Sequence, residues 1–386
     1  MRIHRFTASI RAGVISSVAG LILLATPALA GMGGGYGGGN GPGGSGNAAR
    51  SPNAYTVQTL TSDGFITADH NDTNLVNGWG IAAGATGPWW VANNGSGNAS
   101  LIISDGTPQG LVVGLEDGAT SKPTGIVFNG TASFVVTNGN DSGVALFIFA
   151  SEEGKIFAWS PGVPAPPPST QAFQVADSSP SGAIYKGLAI ASTGGGDRLY
   201  ATDFHNGKVD VFDGSFQPVT PAGDFVDPKI PGGFAPFGIR NINGRIFVTF
   251  AKQDADKEDD VPGQGLGFVS VFDTDGNFIA RIGTHGRLNA PWGLALAPAG
   301  FGRFGGDLLV GNFGDGKINA FHISDDMKKA EPRGALRGTS KKPITISGLW
   351  GIAFGNGSSA GATTSLYFAA GPADEAHGLF GRIDPQ

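Results

Sequence analysis

The sequence predicts an all-β chain built from one repeated antiparallel sheet unit, and three observations carry that expectation. The first is the length of the apolar runs. Residues 289–323 hold three of them, at 293–297, 307–311 and 317–321, each too short for a globular helix and each bounded by Gly-rich turns. The turn Gly314-Asp315-Gly316 has the chemistry of a tight hairpin. The second is recurrence. A glycine followed by an apolar run appears at Gly80, Gly125, Gly187, Gly238, Gly293 and Gly351, at separations of 45, 62, 51, 55 and 58 residues. The third is composition: 66 of 386 residues are Gly and only 15% are charged, which fits many turns between strands and not long helices.

In chain order, residues 1–30 read as an export signal. Arg2, Arg5 and Arg11 give a basic start, 14–24 is the apolar centre, and Ala28-Leu29-Ala30 is a small-x-small cleavage site. The apolar run is short for a membrane span of ~20 residues. Cleavage near Gly31 would take the formal charge from −6 to −9. The expected location is therefore periplasmic or extracellular, with no transmembrane anchor in the mature chain. Residues 31–53 are Gly-rich and too poor in apolar side chains to repay ordering, so a flexible linker is expected. With no cysteine, the chain has no disulfides, thiolate nucleophiles or Cys-based metal sites. The acidic balance and the lack of a basic stripe argue against nucleic acid.

The remainder, 54–386, is expected to be one domain. Each repeat opens on its glycine signature. Second strands are expected at 89–93, 133–137, 198–202, 245–250, 307–311 and 365–369, and third strands at 99–103, 155–159, 208–212, 268–272, 317–321 and 378–383. Fourth strands at 111–114, 171–176, 278–282 and 333–337 have weaker patterns. The last unit runs out of chain after its third strand, and 54–60 reads as the strand that completes it. That closure would hide exposed sheet edges. The architecture expected is a six-bladed β-propeller closed by an N-terminal strand joining the last blade. A seven-bladed ring, with extra strands in the irregular 129–160 stretch, is the alternative. In a four-stranded meander the chain enters strand one and leaves strand two at the same end. The Trp-Gly loops and the loops after strand two therefore share one end of the ring, called here the tryptophan end.

Several longer motifs resemble a family of uncharacterised secreted bacterial proteins with a propeller-type domain. They include Asn74-Leu75-Val76-Asn77-Gly78-Trp79-Gly80, Trp90-Val91-Ala92-Asn93-Asn94-Gly95, Asp203-Phe204-His205, Ala251-Lys252-Gln253-Asp254 and Glu375-Ala376-His377-Gly378. The resemblance covers roughly 54–384, implies the propeller fold and brings no activity with it. Gly78 departs from the family's Asn-Pro-Trp-Gly. The repeats are also similar to NHL-type propellers, a group that includes lactonases, lyases, sugar oxidases and plain binding platforms.

Candidate functional residues fall mostly at the tryptophan end. Asp203 and His205 follow the third unit's second strand, where His205 could act as a base or bind metal, or Asp203 could simply cap a turn. Glu375 and His377 hold the same place in unit six, and Asn93, Asn312 and Asp315 do so in units one and five. His205, His377, Lys252 and Asp203 are the catalytic candidates. Asn312, Asp315 and Glu375 are candidate metal ligands, and so oxygen-rich a set would suit Ca²⁺ or another divalent cation better than Zn²⁺. The charged stretch 252–260 places Lys252 and Asp254 in a long polar loop, either a binding loop or a solvated one. Trp79, Trp292 and Trp350 share a repeat position with Phe237, as a stacking platform or as packing between blades; Lys186 and Thr124 occupy that slot in the other two units. With Asn93 and Asp254, these tryptophans and Lys186 are the candidate ligand-binding residues.

Three functions remain open from sequence: a ligand-binding propeller, a Ca²⁺-dependent hydrolase or lyase of lactonase type, and a structural or protein-interaction surface protein. The expected partner is a small molecule, saccharide or protein ligand, with the chain itself a monomer.

Overall fold

A computed structural model describes residues 51–386. The export signal at 1–30 lies outside the described residues, as does the linker at 31–53 apart from its last three positions. Among the described residues the chain is all-β, interrupted by three short 3₁₀ turns, and no helix is long and apolar enough to cross a membrane.

Six inner strands, Gly78–Ala83, Pro123–Phe128, Tyr185–Thr193, Phe234–Ile242, Pro291–Leu296 and Leu349–Phe354, each form the last strand of a sheet. Outward from each runs an antiparallel meander. In the fourth unit, for example, Phe234–Ile242 pairs with Arg245–Lys252, then Gly267–Phe272, then Phe278–Thr284. The outer strands Pro108–Leu115 and Gln171–Asp177 touch through a short parallel pairing, which joins the first two sheets. Tyr55–Ser62 runs antiparallel to the C-terminal strand Leu379–Pro385, with Tyr55 opposite Pro385 and a bulge between Thr59 and Thr61. His70–Asn71 adds a parallel pairing on its outer edge.

The core is layered between sheets and not gathered at one centre. One apolar layer joins Phe247, Val269 and Val271 of the fourth unit to Leu294, Leu308 and Val310 of the fifth. Another joins Leu309 and Ile318 to Ile352, Phe368 and Leu379, and takes in Tyr55. This packing explains why both faces of the middle strands are apolar: Leu308–Asn312 and Leu366–Ala370 are buried at every residue.

The repeated glycines sit where the inner strands meet. A methyl group on Gly80 would lie 2.6 Å from the Thr124 carbonyl oxygen, and one on Gly293 would lie 2.6 Å from that of Trp350. Gly351 stands in the same relation to Trp79, again at 2.6 Å. Gly125, Gly187 and Gly238 abut the backbone at Leu188, Phe237 and Trp292. Each glycine thus meets the next inner strand, and the sixth meets the first.

Unit two corrects the sequence reading. Its second strand is Phe147–Ser151, paired with Pro123–Phe128, and not 133–137. Every residue of Phe147–Ser151 is buried, whereas Val135–Asn138 is exposed at three of four positions. Val135–Asn138 instead pairs with Asp141–Val144 in a separate ribbon, anchored to the third unit by Phe134 against Phe216. This insertion accounts for the long 62-residue spacing between Gly125 and Gly187. The third unit's outer strand is the two-residue Pro218–Val219, too short to leave a sequence pattern.

If backbone contact fixes the inner glycines, Gly80→Ala should lower stability by about 1–3 kcal/mol, the range for overpacking. Gly110→Ala, at an exposed strand position with nothing within 4 Å, is the control. Urea melts of the two variants with equal midpoints would show that the approach is not constraining.

Candidate functional site at the tryptophan end

The inner strands begin, and the second strands end, at one end of the channel: Gly78 lies opposite Asn93, Tyr185 opposite Asp203 and Pro291 opposite Asn312. The aromatic slot fills that end. Trp79 stacks on Trp350 at 3.8 Å between ring centroids, and Phe313 stacks on the other side of Trp350 at 3.9 Å. Phe237 and Phe204 extend the cluster. Trp292 meets Trp79 edge-on and donates from Nε1 to the Lys186 carbonyl at 2.9 Å. Trp79, Phe237 and Trp350 are buried against one another, with Trp292 half-buried beside them.

Lys186, the cation in this aromatic slot, is 2% exposed. Its Nζ lies 5.3 Å from the Trp79 ring centroid, 2.5 Å from Glu152 Oε1 and 3.0 Å from Asp259 Oδ1. Burial opposes the lysine charge, but the two carboxylates outweigh it and hold the pKa above the ordinary lysine value. The network spreads through side-chain amides. Asn94 Nδ2 donates to Glu152 Oε2 at 2.9 Å, Asn77 Nδ2 donates to Glu375 Oε2 at 2.5 Å, and Trp350 Nε1 donates to Asn77 Oδ1 at 3.1 Å. Burial raises the Glu375 pKa, against the hydrogen bond from Asn77 and with the repulsion of Glu152. Asp260 is pushed up to about 7, chiefly by burial; Lys186 opposes the rise, while Asp259 and Glu375 add to it. Glu152, Glu153, Ile184, Lys186, Glu258 and Asp259 line a pocket of about 330 Å³.

Local backbone explains how these groups arrive. The loop after Arg245–Lys252 folds back as a hairpin, with Val261 N bonded to Lys252 O and Gln253 bridged to Asp260. Gln253 Nε2 pins it by donating to the Phe204 carbonyl at 2.6 Å. Glu375 ends a run of three left-handed residues, Ala373, Asp374 and Glu375, with φ of 57°, 52° and 65°. Non-glycine residues adopt that region at a penalty, so the surrounding structure over-determines this turn.

The other nominated residues are scattered around this network. Asp203 is fully buried; its Oδ1 accepts from Ile184 N and Asn206 N, both at 3.2 Å, and desolvation raises its pKa. It thus caps a turn. His205 is half-buried with Nδ1 unpartnered. His377 pairs through Nδ1 with Asp63 Oδ2 at 2.7 Å and stacks on Phe65 at 3.9 Å. Lys252 is exposed. Asp254 Oδ1 accepts from Glu258 N at 3.0 Å inside its own loop. Asn93 donates to Asn98 and Ser100, and Asn312 donates to Arg287 O and to Asp315, which also pairs with Lys317 at 3.0 Å. Of the residues nominated from sequence, only Lys186, Trp79, Trp292, Trp350 and Glu375 share the network. Among the described residues no group of three or more His, Asp or Glu is arranged to hold a metal ion, and Glu375 shares no partner with Asn312 or Asp315.

Glu152, Asn77, Asn94, Asp259 and Asp260 were not nominated. Once Phe147–Ser151 is recognised as the second strand, Glu152 falls just after it, the position Phe204 and Asn94 hold in their own units.

Fold and site together define a propeller-like all-β protein with a charged pocket over an aromatic plug. The chain belongs to the family of two proteins of Acanthamoeba polyphaga mimivirus. It is 33% identical to "Uncharacterized protein R648" over 313 residues, 79% of this chain and 74% of that protein. It is 32% identical to "Uncharacterized protein L690" over 314 residues, 79% of this chain and 80% of that protein. No family model matches the chain. Among solved structures it is similar to virginiamycin B lyase from Staphylococcus aureus, at 15% identity and a TM-score of 0.44, covering 86% of this chain and 99% of that one. It is also similar to the soluble aldose sugar dehydrogenase of Escherichia coli, at 13% identity and a TM-score of 0.49, covering 86% and 100%. Likenesses this distant carry nothing about activity.

The displaced Asp260 pKa makes stability depend on pH. Between about 4 and about 7 the folded chain holds a proton on Asp260 that the unfolded chain releases, so stability falls as pH rises through that window and levels off above it. Asp260→Asn should remove this slope. Its stability gain over the parent should be small at pH 4 and grow by roughly 1.4 kcal/mol per unit of pKa displacement up to pH 8. Parallel denaturation curves for parent and variant across that range would refute the assignment.

Proposed function

We propose that this chain is an exported, monomeric six-bladed β-propeller, closed by Tyr55–Ser62 joining the last blade, that binds a small ligand in the pocket around Lys186. The circuit of inner glycines and the pairing of Tyr55–Ser62 with Leu379–Pro385 support the ring. One observation carries the binding site. Trp79 Nε1, Asn93 Oδ1, Ser121 Oγ, Ser151 Oγ, His205 Nδ1, Asp260 Oδ2 and Asn312 Oδ1 are the buried side-chain polar atoms without a hydrogen-bond partner among the described residues. All seven lie at the tryptophan end, beside a start of an inner strand or an end of a second strand. Buried polar atoms are rarely left unpaired, so their concentration marks where a ligand would be recognised. The acidic lining favours a ligand that donates hydrogen bonds or carries positive charge, such as an aminated or polyhydroxylated molecule.

A catalytic reading has its own support. Asp260, with a pKa near neutrality beside Lys186, is suited to proton transfer, as a hydrolase or lyase would require. The Ca²⁺ expected from sequence has no assembled donor set among the described residues, so no step is assigned to a cation.

The test is calorimetric titration of the purified chain with amino sugars, neutral saccharides and lactones at pH 6 and pH 8, with product analysis for the lactones. Binding that changes between the two pH values is expected, as is an altered affinity in Lys186→Met, which removes the cation that neutralises Glu152 and Asp259. Turnover abolished by Asp260→Asn would select the catalytic reading. Equal affinity in parent and Lys186→Met for every ligand bound would refute the pocket.

A further inference from the structure

The aromatic plug closes only one end of the channel. Beyond the glycine circuit, between the inner strands, lies a separate cavity of about 360 Å³. Its lining mixes apolar side chains such as Ile81, Val127 and Phe354 with strand backbone, Asn241 and Asn356, so polar and apolar surface contribute comparably. Each inner strand is the last of its sheet, so one backbone edge has no strand partner and turns to this lumen.

One charge projects into it. Arg240 lies two residues after Gly238; the corresponding residues in the other units are Ala82, Val127, Ala189, Ala295 and Ala353. The Arg240 guanidinium reaches from its own inner strand, past the intervening strand Pro291–Leu296, and donates from Nη1 to the carbonyl of Ile352 at 3.2 Å. That is its one hydrogen bond among the described residues, and no carboxylate there forms an ion pair with it. Desolvation is the sole influence on its pKa, which it lowers. The side-chain amides that line the cavity are engaged elsewhere: Asn241 donates to Ile190 O, and Asn356 donates to Gly84 O and Gly87 O. Lys186, by contrast, has the carboxylates of Glu152 and Asp259 at hand.

We propose that this lumen is a second binding site, in which Arg240 holds the carboxylate of a small organic acid. A guanidinium with most of its donors free presents a planar fork that matches a carboxylate. The apolar side chains of the lining suit an apolar body behind that single charge, and one unpaired cation matches a singly charged carboxylate better than a doubly charged phosphate. The plug of Trp79 and Trp350 lies between this site and the Lys186 pocket, so the proposal does not rest on the function proposed for that pocket.

Hexanoate is the probe, titrated calorimetrically into the full chain, with hexanamide and inorganic phosphate as controls. Saturable binding of hexanoate is expected, with hexanamide and phosphate much weaker. Loss of a charged hydrogen bond makes the expected drop in hexanoate affinity roughly tenfold or more in Arg240→Met. Ala83→Phe, which keeps the arginine and fills the lumen, should also lose binding, and circular dichroism melts check that both variants fold. Failure of the parent chain to bind hexanoate would overturn the proposal. So would hexanamide or phosphate binding as tightly as hexanoate, or a folded Arg240→Met with unchanged affinity.

Discussion

The structure depends on one contact repeated around the channel: a glycine of each inner strand pressed against the backbone of the next. A side chain at any of these positions would hold two neighbouring sheets apart, and because the glycines form a circuit, the displacement could not be absorbed by opening a gap elsewhere. The layered apolar packing between sheets follows from this spacing. Phe247 and Leu308, or Leu309 and Phe368, meet only because the strands inside them are already in backbone contact. The same closeness sets the size of the lumen and leaves the residue before each glycine at its rim. Four aromatic rings and one lysine in those rim positions therefore share the space.

The features legible in the sequence were those that repeat. The glycine spacing gave the inner strands, and the apolar runs after them gave most second and third strands, because each is buried by the same kind of neighbour. What was hidden departs from the repeat. The ribbon of Val135–Asn138 and Asp141–Val144 carries Val135, Val136 and Val144, so by pattern it imitates a second strand, although Phe147–Ser151 is far more apolar. That single misreading also hid Glu152. Asp259 and Asp260 lay in a loop whose charge was plain, but only the hairpin bonded between Lys252 and Val261 brings the far end of that loop over Lys186. Composition indicates that a loop is polar; it does not indicate which of its nine residues faces inward. The scattered histidines show the converse, since His377 has a local partner, Asp63, from a segment more than three hundred residues earlier.

Two cations depart from the repeat along the channel, and their surroundings differ in kind. Lys186 is buried with opposite charge supplied from the second sheet and from the loop after the fourth unit's second strand, so the protein itself compensates it. A buried pair of this sort contributes little net stability against an apolar substitute, because desolvation consumes most of the attraction. Arg240 lacks even that compensation. Neither residue is explained by the repeat, whose other members at these positions are aromatic or small.

Several departures from good local chemistry meet in the network around Lys186. The left-handed run from Ala373 to Glu375, the left-handed Asn77 at φ 49° and the near-neutral Asp260 all belong to the network around Lys186. Left-handed non-glycine residues also occur away from that network, at Phe134, Phe216, Phe225, Asn243, Met327 and Lys341, so backbone strain alone does not single out this end. A scaffold of repeated units offers an internal standard here, since a residue that could have been Ala or Trp in the same slot is instead a charge held at a penalty. What distinguishes the tryptophan end is coincidence: strain at 373–375, the desolvated Asp260 and the unpaired polar atoms meet where charged groups are held over the plug.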